Sequence, residues 1–151
     1  MALRQLRYFN DEILRKKCKE VRVIDGKIRQ LLDDMAETMY HTGNGAGLAA
    51  CQVGILKRLV VIDMGDGLIK LVNPRIIGTS GVQECIEGCL SFPDRWGKTI
   101  RPQKVTVQAL NENGREIMLT GENDLAKCLC HEIDHLDGIV FLDKVFEFIK
   151  L

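Results

Sequence analysis

Apolar residues recur at helical spacing in two stretches of this chain, and the region between them alternates instead. Ile28, Leu31, Leu32, Met35 and Met39 fall three or four positions apart within residues 27–41, with Asp33, Asp34 and Glu37 between them. That spacing predicts an amphipathic helix. It should end before the glycine-rich run from His41 to Gly47, where a helix cannot comfortably continue. Near the other end, Leu125, Ala126, Leu129, Ile133 and Leu136 repeat the helical spacing, and Gly138 is placed to stop it.

The middle of the chain reads as strand. Residues 58–63 (RLVVID) and 68–73 (LIKLVN) flank Gly65-Asp66-Gly67, a hairpin signal. Residues 82–91 form a further extended segment. From 104 to 110 the pattern alternates, with Val105, Val107 and Ala109 inward, and Asn113-Gly114 turns the chain into residues 116–120. Strands grouped together between two helices predict an α+β fold. The expected architecture is antiparallel β-sheets packed around the C-terminal helix, with the amphipathic helix on the N-terminal side. No repeat, low-complexity tract or linker divides the chain, so one domain over residues 1–151 is expected.

Composition narrows the partners. Lys+Arg and Asp+Glu both total 21, so net charge supplies no attraction to nucleic acid or to an anionic membrane surface. No apolar run approaches the roughly 20 residues that span a bilayer. The opening residues MALRQLRYFND carry charges and no apolar core of a secretory signal, so a cytoplasmic location is expected. Six cysteines at irregular spacing then read as reduced: buried small residues, nucleophiles or metal ligands rather than disulfides.

The second helix carries His131-Glu132-Ile133-Asp134-His135. Positions i and i+4 share a face about 6 Å apart along the axis, so both imidazoles can reach one ion. Glu132 lies between them in angle and can touch a water on that ion. This is the HExxH arrangement, with two imidazole ligands and a carboxylate that deprotonates the water. A catalytic centre of this kind takes three protein ligands and keeps one position open. The metzincin pattern is excluded, because Phe141 stands where its third histidine belongs. A downstream glutamate ligand is disfavoured, since Glu147 is the only one after His135.

An upstream ligand is therefore expected. His41, at a helix end, reads as a solvated cap. Cys128 shares the metal face but stands seven residues from His135, about 10 Å of rise, too far for one ion. Cys130 points to another side, and Cys18 lies in a charged segment that suggests no site. Cys51, Cys85 and Cys89 remain, with Cys89 favoured mildly because Gly88 before it lets the strand approach the helix.

Three segments, Gly45-Ala-Gly-Leu-Ala-Ala-Cys-Gln52, Glu87-Gly-Cys-Leu-Ser91 and His131-Glu-Ile-Asp-His135, resemble in order the signature motifs of the peptide deformylases. The resemblance runs over essentially the whole chain. It implies a metal-dependent hydrolase that removes formate from N-formylmethionine at the start of newly made polypeptides. It implies metal ligation by Cys89, His131 and His135, with Glu132 as acid/base. The Gln52 side-chain amide and the Leu90 backbone N–H would hold the oxygen of the tetrahedral intermediate. The family ion is usually Fe²⁺, replaceable by zinc, nickel or cobalt, one per chain. N-formylmethionyl nascent chains near the ribosome are the expected partners, without direct nucleic-acid binding and without a membrane. Two positions depart from the family pattern: Cys51 stands where proline is common, and Cys130 where glutamine is common.

Methionine specificity calls for an apolar pocket beside the ion. Cys128, one turn before His131, is a candidate wall, and Gly47 offers room for a substrate backbone to approach as an added strand. Asp134 reads as an exposed helix aspartate, with a supporting role behind the metal ligands as the alternative. Three rival readings carry less weight. Gly45-Ala-Gly47-Leu-Ala-Ala50 mimics a dinucleotide fingerprint, with Asp63 some 18 residues on, but a helix rather than a strand is expected before it. A metallopeptidase with the same ion and a closed structural metal module are the others.

Overall fold

The computed structural model describes residues 2–43 and 45–150. Helix α1 spans Gly26–His41, and Asp25 caps it by accepting the Ile28 N–H at 3.1 Å. All five apolar positions that define its stripe are buried. The polar face is not wholly solvated, however. Asp34 is buried because the N-terminal segment crosses it: its carboxylate accepts from the Ala2 N–H at 2.8 Å, the Arg4 guanidinium at 3.0 Å and Gln30 at 2.8 Å.

The strands are β1 (Gly47–Ala49), β2 (Leu59–Ile62), β3 (Ile69–Ser80), β4 (Gln83–Cys89), β5 (Phe92–Arg101), β6 (Lys104–Leu110), β7 (Glu116–Glu122) and β8 (Glu147–Ile149). They form two sheets, ordered β1-β2-β3-β6-β7 and β4-β5-β8, with antiparallel pairing throughout both. Helix α2 follows at Asp124–Leu136. The α+β architecture matches the expectation, with strands around the C-terminal helix.

Why the larger sheet sits where it does is visible in β2, whose four residues are all fully buried. Val60 and Ile62 face Leu129, Ile133 and Leu136 of α2, whereas Leu59 and Val61 face Ile28, Leu32, Met35 and Met39 of α1. A strand covered on both faces reads as a continuous apolar run, as RLVVID does. In β6, by contrast, Val105, Val107 and Ala109 are buried while their neighbours are not, as their alternation predicts.

The 63–68 connection turns as expected, with Gly65 and Gly67 at φ of 105° and 117°. Strand β3 runs on past its expected end to Ser80, across two register shifts. Strand β5 and the short β1 and β8 were not anticipated by alternation, because each takes its place from pairing rather than from its own pattern.

Gly138 stops α2 with φ of 75°, and a side chain there would run into the Arg15 carbonyl oxygen. The N-terminal segment therefore packs onto the end of α2, where the Cys18 N–H donates to the Leu136 carbonyl at 2.8 Å. Cys18, read as lying in an unremarkable charged stretch, is buried there. The dinucleotide reading fails on topology: α1 precedes the glycines, and only a short 3-10 turn, Ala50–Val53, follows β1.

Candidate metal centre

Helix α2 places His131 and His135 one turn apart, their ring centroids 5.1 Å from each other. The end of β4 brings Cys89 to them. One donor atom each from Cys89, His131 and His135 lies within 4.8 Å of the others, and Cys89 Sγ is 3.4 Å from His135 Nε2. Among the described residues this is the group of three such side chains that can close on one ion. A thiol with two imidazoles is a donor set that suits Fe²⁺ or Zn²⁺, so the residues present fit the implied metal.

The alternative cysteines lie elsewhere. Cys51 is fully buried with its thiol 3.5 Å from the His135 carbonyl oxygen, and Cys85 is buried two positions before Glu87 on β4. Gly88 does not serve the close approach expected of it. The space of its missing side chain is filled by the Trp96 ring, 2.7 Å from where a Cβ would stand.

Behind the histidines lies a network that the spacing of residues did not announce. Glu87 Oε1 accepts from His131 Nδ1 at 2.8 Å, which leaves Nε2 for an ion. Arg101 donates to Glu87 twice, at 2.6 and 2.9 Å, and Thr99 donates to it as well. The third branch of the same guanidinium reaches Asp134 at 2.7 Å. Asp134 is thus no freely solvated helix aspartate; β5 clamps it because Arg101 points inward. Burial opposes charge on Glu87, yet the bonds from His131, Arg101 and Thr99 hold its carboxyl down at about 2. Glu87 opens the Glu87–Ser91 motif in sequence without being given a role there, and Thr99 and Arg101 carry no sequence signal.

Glu132 is buried in the wall next to the two histidines, and burial pushes its carboxyl up to about 7. Its Oε1 has no hydrogen-bond partner among the described residues. Gln52 is buried and held at both ends. Its Oε1 accepts from the Ala49 N–H at 3.0 Å, while Nε2 donates to Ser91 Oγ at 3.1 Å and lies 3.4 Å from Cys89 Sγ. Gly47 stands so close to α2 that a Cβ would meet Glu132 Oε2 at 2.7 Å and Cys128 Sγ at 2.9 Å. A cleft of about 430 Å³ opens in front, with Met64, Ile86, Leu90, Trp96 and Cys128 in its walls beside Gly47 and Glu132. The structure thus gathers every expected site residue at or around one cleft.

The chain is similar to known proteins along nearly its whole length. The family model described as polypeptide deformylase matches residues 3–149. Peptide deformylase 2 of Clostridium acetobutylicum is 65% identical over 150 residues, covering 99% of this chain and 100% of the relative. Peptide deformylase of Acetivibrio thermocellus is 60% identical, covering 99% of this chain and 87% of the relative. Among solved structures, a peptide deformylase from Legionella pneumophila superposes with a TM-score of 0.92 at 44% identity, covering 95% of this chain and 86% of that one. One from Synechococcus elongatus in complex with actinonin gives 0.90 at 43% identity, covering 94% and 78%. A match along nearly the full length, on a fold that closes a thiol and two imidazoles around one point, places the chain in the peptide deformylase family, the metallohydrolases that remove the formyl group from new polypeptides.

Proposed function

We propose that Cys89, His131 and His135 hold a single Fe²⁺ ion, for which Zn²⁺, Ni²⁺ or Co²⁺ can substitute, and that Glu132 carries the proton in deformylation of N-formylmethionyl peptides. The observation that carries this reading is the convergence of three donor atoms within 4.8 Å beside a buried carboxylate with an unpartnered oxygen. When bound, the ion supplies a Lewis acid for the formyl oxygen and lowers the pKa of water.

The remaining work falls to the chain. Glu132 accepts a proton from the water that attacks the formyl carbon, then returns it to the leaving nitrogen, so that formate and a free amino terminus result. A carboxyl lifted to about 7 by burial is suited to both steps near neutral pH. The Gln52 amide, fixed by Ala49 and Ser91, and the Leu90 N–H receive the charge that develops on oxygen. Glu87 holds the His131 ring in the orientation that offers Nε2.

Gly47 leaves room for the peptide backbone beside the edge strand β1, and Cys128 walls the methionine pocket. The chain acts as one catalytic domain over 1–151, in the cytoplasm, on nascent chains close to the ribosome and without contacting nucleic acid itself. No helix among the described residues is long and apolar enough to cross a membrane.

Formate release from a formyl-Met peptide, compared with cleavage of its unformylated counterpart, tests the reaction. Glu132→Gln should keep one metal per chain and lose at least about 10³ in kcat. Loss of the metal from that variant would support a structural ion instead, and cleavage of the unformylated peptide would support a peptidase.

A further inference from the structure

Asp63, which in sequence mimics the acid of a dinucleotide fingerprint, has no part in the chemistry above, yet separate pieces of chain meet on it. Its N–H donates to the Ala46 carbonyl at 2.9 Å, which carries the β1–β2 pairing one residue past Gly47 and Ile62. Its Oδ1 accepts from the Gly65 N–H at 2.8 Å and so fixes the turn in which Met64 stands. Its Oδ2 accepts from the Tyr40 hydroxyl at 2.6 Å, and Tyr40 belongs to the last turn of α1. The Tyr40 hydroxyl, and after it the Gly65 N–H, hold the Asp63 carboxyl below its usual range. A hydroxyl donating to a carboxylate at that distance makes a charge-assisted bond.

The residues tied together here are cleft wall. Gly45, Ala46, Gly47 and Met64 all line the cleft in front of the metal centre. Gly45 is wedged between α1 and the residue after Cys89, since a Cβ there would stand 3.0 Å from both the Met39 and the Leu90 side chains. Thr42 braces the same stretch, accepting from the Gly45 N–H at 3.2 Å and donating to the Met39 carbonyl at 2.7 Å. Tyr40 is half-exposed, so core packing does not account for it.

We propose that Tyr40 and Asp63 are positioning residues, a strap that sets the Gly45–Gly47 wall where the substrate backbone lies and thereby governs affinity for residues beyond methionine. The inference rests on the reading that the peptide runs beside Gly47. A peptide added as a strand binds through its backbone, so its affinity depends on where the receiving edge stands. The metal ligands and Glu132 sit on β4 and α2, outside the strap. Bond making and breaking are left to them. The strap then serves ground state and transition state alike, and its loss raises KM with kcat unchanged.

The test measures formate release by the zinc-loaded chain from N-formylmethionine amide and from formyl-Met-Ala-Ser amide. The parent should show the lower KM for the longer substrate, which alone extends along the Gly47 edge. Tyr40→Phe removes one oxygen from a half-exposed side chain. It should raise KM for the longer substrate about three- to tenfold and leave kcat and the short substrate unchanged. Asp63→Ala should do at least as much, and Asp63→Asn, which can still pair with Tyr40, should recover part of the loss. Adding Tyr40→Phe to Asp63→Ala should cost nothing further, because the two side chains act as one unit. Equal KM values for the two substrates in the parent would overturn the reading of Gly47 and the strap with it. Where the parent does prefer the longer substrate, the strap alone is overturned by an unchanged KM in Tyr40→Phe, by equal losses on both substrates, or by additive losses in the double variant.

Discussion

Glu87 reaches across from β4 to α2 and accepts a hydrogen bond from Nδ1 of His131 at 2.8 Å, both side chains being buried. A ligand imidazole held in this way has its tautomer and its ring plane set before an ion arrives. Arg101 in turn holds Glu87 and Asp134, so one guanidinium ties the three-stranded sheet to α2.

Substituting Glu87→Gln should weaken that orientation without touching a ligand. Metal affinity should fall about 10- to 100-fold, read by competition with a chelator, while the folded chain keeps its far-UV spectrum. Unchanged affinity would show that packing against Phe141, stacked on His131 at 5.9 Å, orients the ring by itself.

For Gln52, the expected change is in kcat. Gln52→Ala removes a donor placed 3.4 Å from Cys89 Sγ, and kcat should drop by about 10²–10³ with metal content intact. A rise in KM alone would assign the side chain to substrate binding.

Gly47→Ala introduces a methyl group 2.7 Å from Glu132 Oε2 and 2.9 Å from Cys128 Sγ. Glu132 has to shift, so kcat/KM should fall by at least about tenfold, because misplacement of a catalytic group by a fraction of an ångström is costly. Adding Cys128→Ala relieves one of the two clashes and should restore part of the loss, measured by steady-state formate release.

Asp34 supplies a prediction for acid stability. Burial works against its charge, but bonds from the Ala2 N–H, Gln30 and Arg4 hold its carboxyl below the usual range. A carboxylate depressed in the folded state contributes stability above its unfolded pKa of about 3.9 and loses it as pH falls through the lower folded value. Asp34→Asn should therefore lower the Tm at neutral pH, and the gap from the parent chain should close as pH drops below about 4. A gap that persists in acid would trace the effect to lost hydrogen bonds rather than to charge.

Periodicity and local chemistry carried much of this protein into view from its sequence. The apolar stripes of α1 and α2 settle those helices, because each must bury one face. The 3.6-residue turn alone places His131, Glu132 and His135 around one point. What spacing left open was the third donor. Cys51, Cys85 and Cys89 all remained candidates on spacing, with Cys89 only mildly favoured through Gly88 until family likeness singled it out; sheet pairing is what brings it to α2.

Tertiary structure decided whatever depends on residues distant in sequence. Asp34 and Asp134 both look solvated on a helical wheel, and both are covered because the N-terminal segment and Arg101 arrive from elsewhere. The clamp on His131 has the same origin. Local patterns report which face of an element turns inward, since burial acts on each element separately. Which side chains then face one another follows from pairing order and register, and those are properties of the assembled sheets.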